Sequence, residues 1–160
     1  IEAGCFEHIT VMIQREVAKR ICAAPNTADY GAFGIFVQWY MDTELLFDVP
    51  PSCFLPAPKV VSSVIRMDVR GKPPVDVADP KLFFQVVRAA FGQRRKTLLN
   101  GLVTLMGKNV SKDALRQAIV DSGLPESVRG ERLSFEEFAR LTEKLKKLFK
   151  LLKKQRMIPF

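Results

Sequence analysis

Phe54-Leu55-Pro56-Ala57-Pro58-Lys59-Val60-Val61-Ser62-Ser63-Val64-Ile65-Arg66 is the stretch from which the rest of the chain can be read. Two prolines one residue apart fit neither a helix nor a central strand, because each fixes φ near −65° and removes an N–H donor. They also drive Leu55 and Ala57 toward extended backbone. Phe54 is therefore predicted on a stiff, extended loop. Directly after it, Val61, Ser63, Ile65, Met67 and Val69 alternate with Val60, Ser62, Val64, Arg66 and Asp68, the period of a strand. A rigid loop that presents one aromatic ring at the mouth of a strand suits a flat ligand such as a nucleobase, held by stacking. A Phe that only plugs the core would leave the same local pattern.

Upstream, Ile9 to Gln14 is apolar and β-branched, which predicts a strand buried on both faces, as in a parallel sheet. Arg15 to Ala24 then reads as a helix with Val17, Ala18 and Ile21 on one side, ended by Pro25-Asn26. Ala32 to Met41, with Ile35, Phe36, Trp39 and Tyr40, predicts a mostly buried helix. Glu44 to Val49 is a second strand closed by Pro50-Pro51, and Val60 to Val69 a third. Strands alternating with helices imply an α/β layer.

Gly71-Lys72-Pro73-Pro74 changes the character of the chain, and no strand pattern follows it. Asp79 with Pro80 predicts a helix start, and that helix runs to about Phe91. Others are predicted from Arg94 to Met106, from Ser111 to near Gly123, and from a capping box of Ser134 and Glu137. The expected organisation is an α/β region over 1–70, a linker over 71–78, an all-helical domain over 79–150 and a basic tail over 151–160. Leu141, Leu145, Leu148 and Leu152 recur at helical spacing between lysines. That is either a basic amphipathic surface helix or the last helix of a bundle, and the bundle is the simpler reading.

Lysine and arginine number 25 against 17 acidic residues, a net charge of +8, which favours a polyanionic partner such as nucleic acid. Gln93-Arg94-Arg95-Lys96 sets three cations side by side at a predicted helix start, where the helix dipole disfavours them. Such a cluster is suited to backbone phosphate. Cys5, Cys22 and Cys53 are widely spaced and His8 is the one histidine, so a zinc site is not expected. Unpaired cysteines fit a reducing cytoplasm, and they read as small buried hydrophobes. No run of 18 apolar residues appears, nor a secretory leader.

The Phe54 loop, written Phe-x-Pro-x-Pro-Lys-Val-x-Ser-x-Val-x-Arg, resembles the post-catalytic loop of the small-subunit ribosomal RNA adenine dimethyltransferases of the KsgA type. Four further segments resemble the same family in the same order. Val11-Met12-Ile13-Gln14-Arg15-Glu16-Val17-Ala18 is similar to its strand-to-helix segment. Tyr30-Gly31-Ala32 with Val37-Gln38-Trp39-Tyr40 is similar to its next helix. Ala90-Phe91-Gly92-Gln93-Arg94-Arg95-Lys96-Thr97-Leu98 and Arg129-Gly130-Glu131-Arg132-Leu133-Ser134 are similar to its helical domain.

The resemblance implies the last strands and helices of a Rossmann-like methyltransferase sheet, followed by a small helical RNA-binding domain. It also implies transfer of methyl groups from S-adenosylmethionine to two adjacent adenines near the 3′ end of small-subunit rRNA, in the immature small ribosomal subunit of the cytoplasm. By that resemblance Phe54 stacks on the flipped target adenine. Lys59, Gln93, Arg94, Arg95 and Lys96 contact RNA, and no metal or membrane takes part. The family's glycine-rich cofactor loop, the acidic residue for the cofactor ribose and the Asn-Leu-Pro-Tyr-like motif do not occur in these 160 residues. The family's order places them before Ile1. The chain thus reads as a C-terminal portion, expected to be inactive alone, to bind S-adenosylmethionine poorly and to self-associate through an exposed strand edge. A non-catalytic RNA-binding module and a macrolide-resistance rRNA methyltransferase are the alternatives, and Gln93-Arg94-Arg95-Lys96-Thr97-Leu98 favours the small-subunit family over the latter.

Overall fold

The computed structural model describes residues 5–93, 96–107 and 110–156, the last four of these by backbone alone. The chain divides into two compact units, Ile1–Pro74 and Val75–Phe160.

The first unit contains β1 (His8–Gln14), α1 (Arg15–Cys22), α2 (Ala32–Tyr40), β2 (Met41–Val49) and β3 (Ser62–Val69). The strand order is β1-β3-β2, and β3 runs antiparallel to both neighbours. β1 and β2 therefore point the same way, separated by a strand that reverses direction. In register, Gln14, Ser62 and Val49 form one row at the end where β1 and β2 finish, and Val11, Ile65 and Leu45 form another. β2 carries a bulge between Leu45 and Phe47, so the alternation of its faces reverses there.

Both helices lie on one face of the sheet. Ala18, Ile21 and Ile65 are buried at the centre, with Val11, Ile13, Val17, Val37, Leu45 and Met67 packed around them. α1 and α2 approach closely at Gly34, where a Cβ would lie 2.3 Å from the Arg20 carbonyl oxygen, so only glycine fits. The Gln38 side chain donates to the carbonyls of Ile21 (2.7 Å) and Ala23 (3.0 Å), satisfying the otherwise orphaned end of α1.

Three expectations need correction. β1 is not buried on both faces: its residues alternate between exposed and half-buried. Ile9, Val11 and Ile13 are the half-buried set, while Met12 on the opposite face remains 51% exposed and its cross-strand neighbour Phe47, beyond Val64, 56%. Helices cover only one side of this sheet among the described residues, and its ladders are antiparallel rather than parallel. α2 is half buried rather than mostly so, because Ile35 and Trp39 point inward while Phe33 and Phe36 are exposed. The cysteines are not all buried: Cys5 and Cys53 are exposed and only Cys22 is partly covered. Burial pushes the Cys22 thiol above its ordinary value, against a weaker opposing hydrogen bond with Thr43.

The second unit is helical among the described residues: α3 (Pro80–Gly92), α4 (Leu98–Met106), α5 (Lys112–Asp121) and α6 (Phe135–Arg156). Phe83 stacks on Phe135 with ring centroids 6.3 Å apart and meets Phe138 edge-on at 6.2 Å. Leu98, Leu102, Leu115, Ile119, Leu133, Leu141 and Leu145 complete a core of fully buried side chains. Gly130 sits where a Cβ would come within 2.7 Å of the Ala90 Cβ and 2.6 Å of the Ala90 carbonyl oxygen, so the turn before α6 needs glycine to lie against α3. Leu141 and Leu145 are buried while Lys144, Lys147 and Lys150 are exposed, the bundle reading of that helix. α6 also continues through the expected tail as far as Arg156; the sequence Met157-Ile158-Pro159-Phe160 lies outside the described residues.

α6 opens with the capping box expected from sequence. The Ser134 backbone N–H donates to Glu137 Oε2 (2.9 Å), and the Glu137 N–H to Ser134 Oγ (3.3 Å). Ser134 Oγ also donates to Glu136 Oε2 at 2.7 Å, which with a backbone hydrogen bond holds the Glu136 carboxyl below its ordinary value. A carboxyl depressed by folding contributes stability above its unfolded value and loses it as pH falls through the folded one. Ser134→Ala is therefore expected to cost the helical unit about 1 kcal/mol near neutral pH, and less in acid. Urea unfolding followed on the Leu141 and Leu145 methyl signals reads both. A loss that does not shrink in acid would remove Glu136 from the account.

β1 and β2 are the outer strands of the described sheet, and an unpaired apolar strand invites association. Backbone amides of residues 9–14 are expected to exchange faster than those of Leu98–Leu102 and Phe138–Leu145, with self-association growing as concentration rises. Hydrogen exchange on monomeric chain checks this, and equal protection in the two units would contradict it.

Candidate functional site

The Phe54 loop connects β2 to β3 at the row formed by Gln14, Ser62 and Val49, beyond the carboxyl ends of β1 and β2. In open α/β sheets, ligands bind outside the carboxyl ends of the strands, and the antiparallel β3 delivers its loop there. The loop begins with a turn of 3-10 helix, Pro51–Cys53, in which the Cys53 N–H donates to the Pro50 carbonyl and the Phe54 N–H to that of Pro51, both at 3.1 Å. Phe54 follows in extended backbone (φ −123°, ψ 149°), as the proline pattern requires. Phe54 as a whole is half-buried, so it retains some accessible surface. Leu55 beside it is fully exposed, the Leu55–Pro56 peptide is cis, and Lys59 is exposed in the same loop.

Sequence reasoning missed the polar residues at the base of this loop. Ser63, the second residue of β3, is fully buried, and its hydroxyl donates to Asp48 Oδ1 at 2.6 Å. Asp48 Oδ2 lies 3.6 Å from the Arg15 guanidinium, and the Arg15 backbone N–H donates to the Val61 carbonyl at 3.0 Å. A buried hydroxyl needs a partner, but which acceptor Ser63 finds depends on the register, and that is not visible along the chain.

The other candidate residues lie in the helical unit. Gln93 closes α3, and its side-chain amide donates to Thr104 Oγ1 at 3.1 Å, committed to α4 rather than free. Lys96 is exposed, in the connection before α4. Arg94 and Arg95 lie outside the described residues. α4 begins at Leu98 and not at Arg94, with Thr97 at its N-cap. The helix thus starts at a residue type that favours a cap, although the Thr97 side chain makes no capping hydrogen bond, and Lys96 precedes the helix rather than lying in its first turn. Just beyond Lys96, a cavity of about 430 Å³ is lined by Thr97, Leu99, Asn100, Lys112, Arg116, Glu126 and Ser127. Arg116 is ion-paired with Asp113 and Glu126, both at 2.6 Å, so Lys112 is the more available cation of this wall. The spacing from Thr97 to Lys112 carries no sequence signal; both line this cavity because α4 packs against α5.

Among the described residues there is no cluster of three or more His, Cys, Asp or Glu that could hold a metal, and no helix is long and apolar enough to cross a membrane.

Comparison with known proteins gives the family. A family described as ribosomal RNA adenine dimethylase matches residues 1–147. The ribosomal RNA small subunit methyltransferase A of Caldanaerobacter subterraneus is 47% identical over 150 residues, 94% of this chain and 55% of the relative. The proteins of the same name from Clostridium acetobutylicum and Streptococcus pneumoniae are 48% and 49% identical, over 88% and 91% of this chain and 50% and 51% of theirs. The chain spans about half the length of these relatives. Among solved structures, a dimethyladenosine transferase from Plasmodium falciparum aligns with a TM-score of 0.74 at 20% identity, over 90% of this chain and 58% of that one. The 23S rRNA methyltransferase ErmE aligns at 0.61 and 22% identity, over 91% and 57%. At that identity these two speak for the fold, a methyltransferase-type α/β unit followed by helices. With a family match over most of its length and close to half its residues shared with several relatives, the chain belongs to the ribosomal RNA adenine dimethylase family.

Proposed function

We propose that this chain supplies the target-base loop and the RNA-binding helices of an S-adenosylmethionine-dependent dimethyltransferase acting on two adjacent adenines near the 3′ end of small-subunit rRNA, in the immature subunit. The observation that carries the reading is the half-buried Phe54, held in extended backbone beyond the carboxyl ends of β1 and β2. In this mechanism the adenine leaves its stack and lies on the Phe54 ring, while the prolines keep the ring from following it. Lys59 approaches the flanking backbone from the same loop. Arg94, Arg95, Lys96 and Lys112 neutralise phosphates, which sets affinity without reading sequence. S-adenosylmethionine would supply the methyl group. None of the described residues forms the glycine-rich cradle that would hold it, so this chain alone is expected to bind it poorly and to be inactive.

The test joins this chain to the part of the Caldanaerobacter relative that it does not match. The chimera is expected to dimethylate small-subunit rRNA. Phe54→Ala is expected to lower turnover about tenfold or more, since stacking on a flipped base is worth roughly 1–3 kcal/mol, with RNA affinity changed less than about twofold. RNA binding without methylation would instead identify a non-catalytic RNA-binding module, and methylation of 23S rRNA a resistance-type enzyme.

The isolated chain is expected to bind structured RNA with steep salt dependence. Replacing Arg94, Arg95 and Lys96 together by Ala should reduce the slope of log affinity against log salt by about two to three. Filter binding at several salt concentrations measures it, and an unchanged slope would place the phosphate contacts elsewhere.

A further inference from the structure

We propose that Asp48 and Ser63, with Arg15, form a polar clasp that positions the Phe54 loop, and that they act as positioning residues for the target base. The proposal deepens the reading of that loop given above and rests on it. Asp48 is the last β2 residue but one before Pro50, where the loop leaves the sheet. Ser63 lies just inside β3, where the loop returns. Their 2.6 Å hydrogen bond closes the two stems on each other. Arg15 extends the clasp to β1 and α1: its guanidinium faces Asp48, and its backbone N–H holds the Val61 carbonyl at the last loop residue. β2, β3 and the start of α1 are thus tied within one residue of the row from which the loop departs.

Three features separate this from an ordinary structural contact. Ser63 is a fully buried polar residue near the start of a strand, and a hydroxyl there is costly without its acceptor. Asp48 reaches the Ser63 row only because the Leu45–Phe47 bulge reverses the faces of β2 just before it. Bulges recur beside active sites, where they re-aim a side chain. The side chains of Asp48 and Arg15 are each nearly half exposed, 45% and 47%, so replacing Asp48 removes a loop restraint without opening the core.

The test uses Asp48→Ala, Ser63→Ala, the double variant and Asp48→Glu, each in this chain and in the chimera. In the chain, exchange of the Cys53 and Phe54 amides, which are bonded within the loop, is expected to quicken about tenfold, the scale of a hydrogen bond to a charged group. The Val11 and Ile65 amides should keep their rates. In the chimera, kcat should fall about tenfold with KM for RNA and affinity for S-adenosylmethionine changed less than about twofold. The double variant should be no worse than the worse single one, and Asp48→Glu should recover most of the loss. Exchange at Phe54 that is unchanged, or that rises in step with Val11, overturns the clasp, as does an equal loss in Asp48→Glu and Asp48→Ala. If the wild-type chimera does not methylate at all, the functional reading of the loop fails, and the exchange rates alone decide whether the clasp holds it.

Discussion

The direction of β3 is the constraint on which the first unit depends. It is the only described strand paired on both sides, and it runs against both neighbours. Because it starts where β1 and β2 end, the connection from β2 must form a loop at their carboxyl ends. Phe54 is placed by that topology before any side chain is considered, and the prolines then limit where its ring can go. A parallel third strand would have needed a crossover to the other end of the sheet, leaving the aromatic loop far from the carboxyl edge.

Much of this was legible in the sequence. Proline spacing and period-2 alternation located the loop and β3, and Asp79, Ser111 and Ser134 each mark a helix start in the structure. What failed did so for physical reasons. The apolar run in β1 cannot say how many layers cover it, because Ile, Val and Met look the same beside a helix and beside solvent. The start of α4 was misread because Arg94 to Lys96 have good helix propensity, while the choice of Thr97 as cap rests on α4 packing against its neighbours. The Asp48–Ser63 pair was invisible because 15 residues separate the partners and a bulge decides that they meet.

The helical unit is held on different terms. Its centre includes stacked aromatic rings, and its boundaries are set by caps and by close approaches to α3 at Gly101 and Gly130. Ala78, at its start, is tied to the last helix twice: its N–H donates to Glu143 and its carbonyl accepts from Lys146. The segment that leads into the first helix of this unit is thus fastened to its last helix.

The bulge in β2 also makes the strand intolerant of insertions and deletions. Between Leu45 and Asp48 the chain spends one residue more than β3 does opposite it, and this odd count decides which side chains meet. Removing Leu46 would leave the hydrophobic content of β2 almost unchanged, yet shift Asp48 out of the Ser63 row or force the register of the whole hairpin to slip. Adding a residue would have the same effect from the other side. In this strand, length parity constrains the chain more tightly than residue identity does. Variation among relatives at this edge is expected as substitution, with the residue count between α2 and Pro50 held fixed.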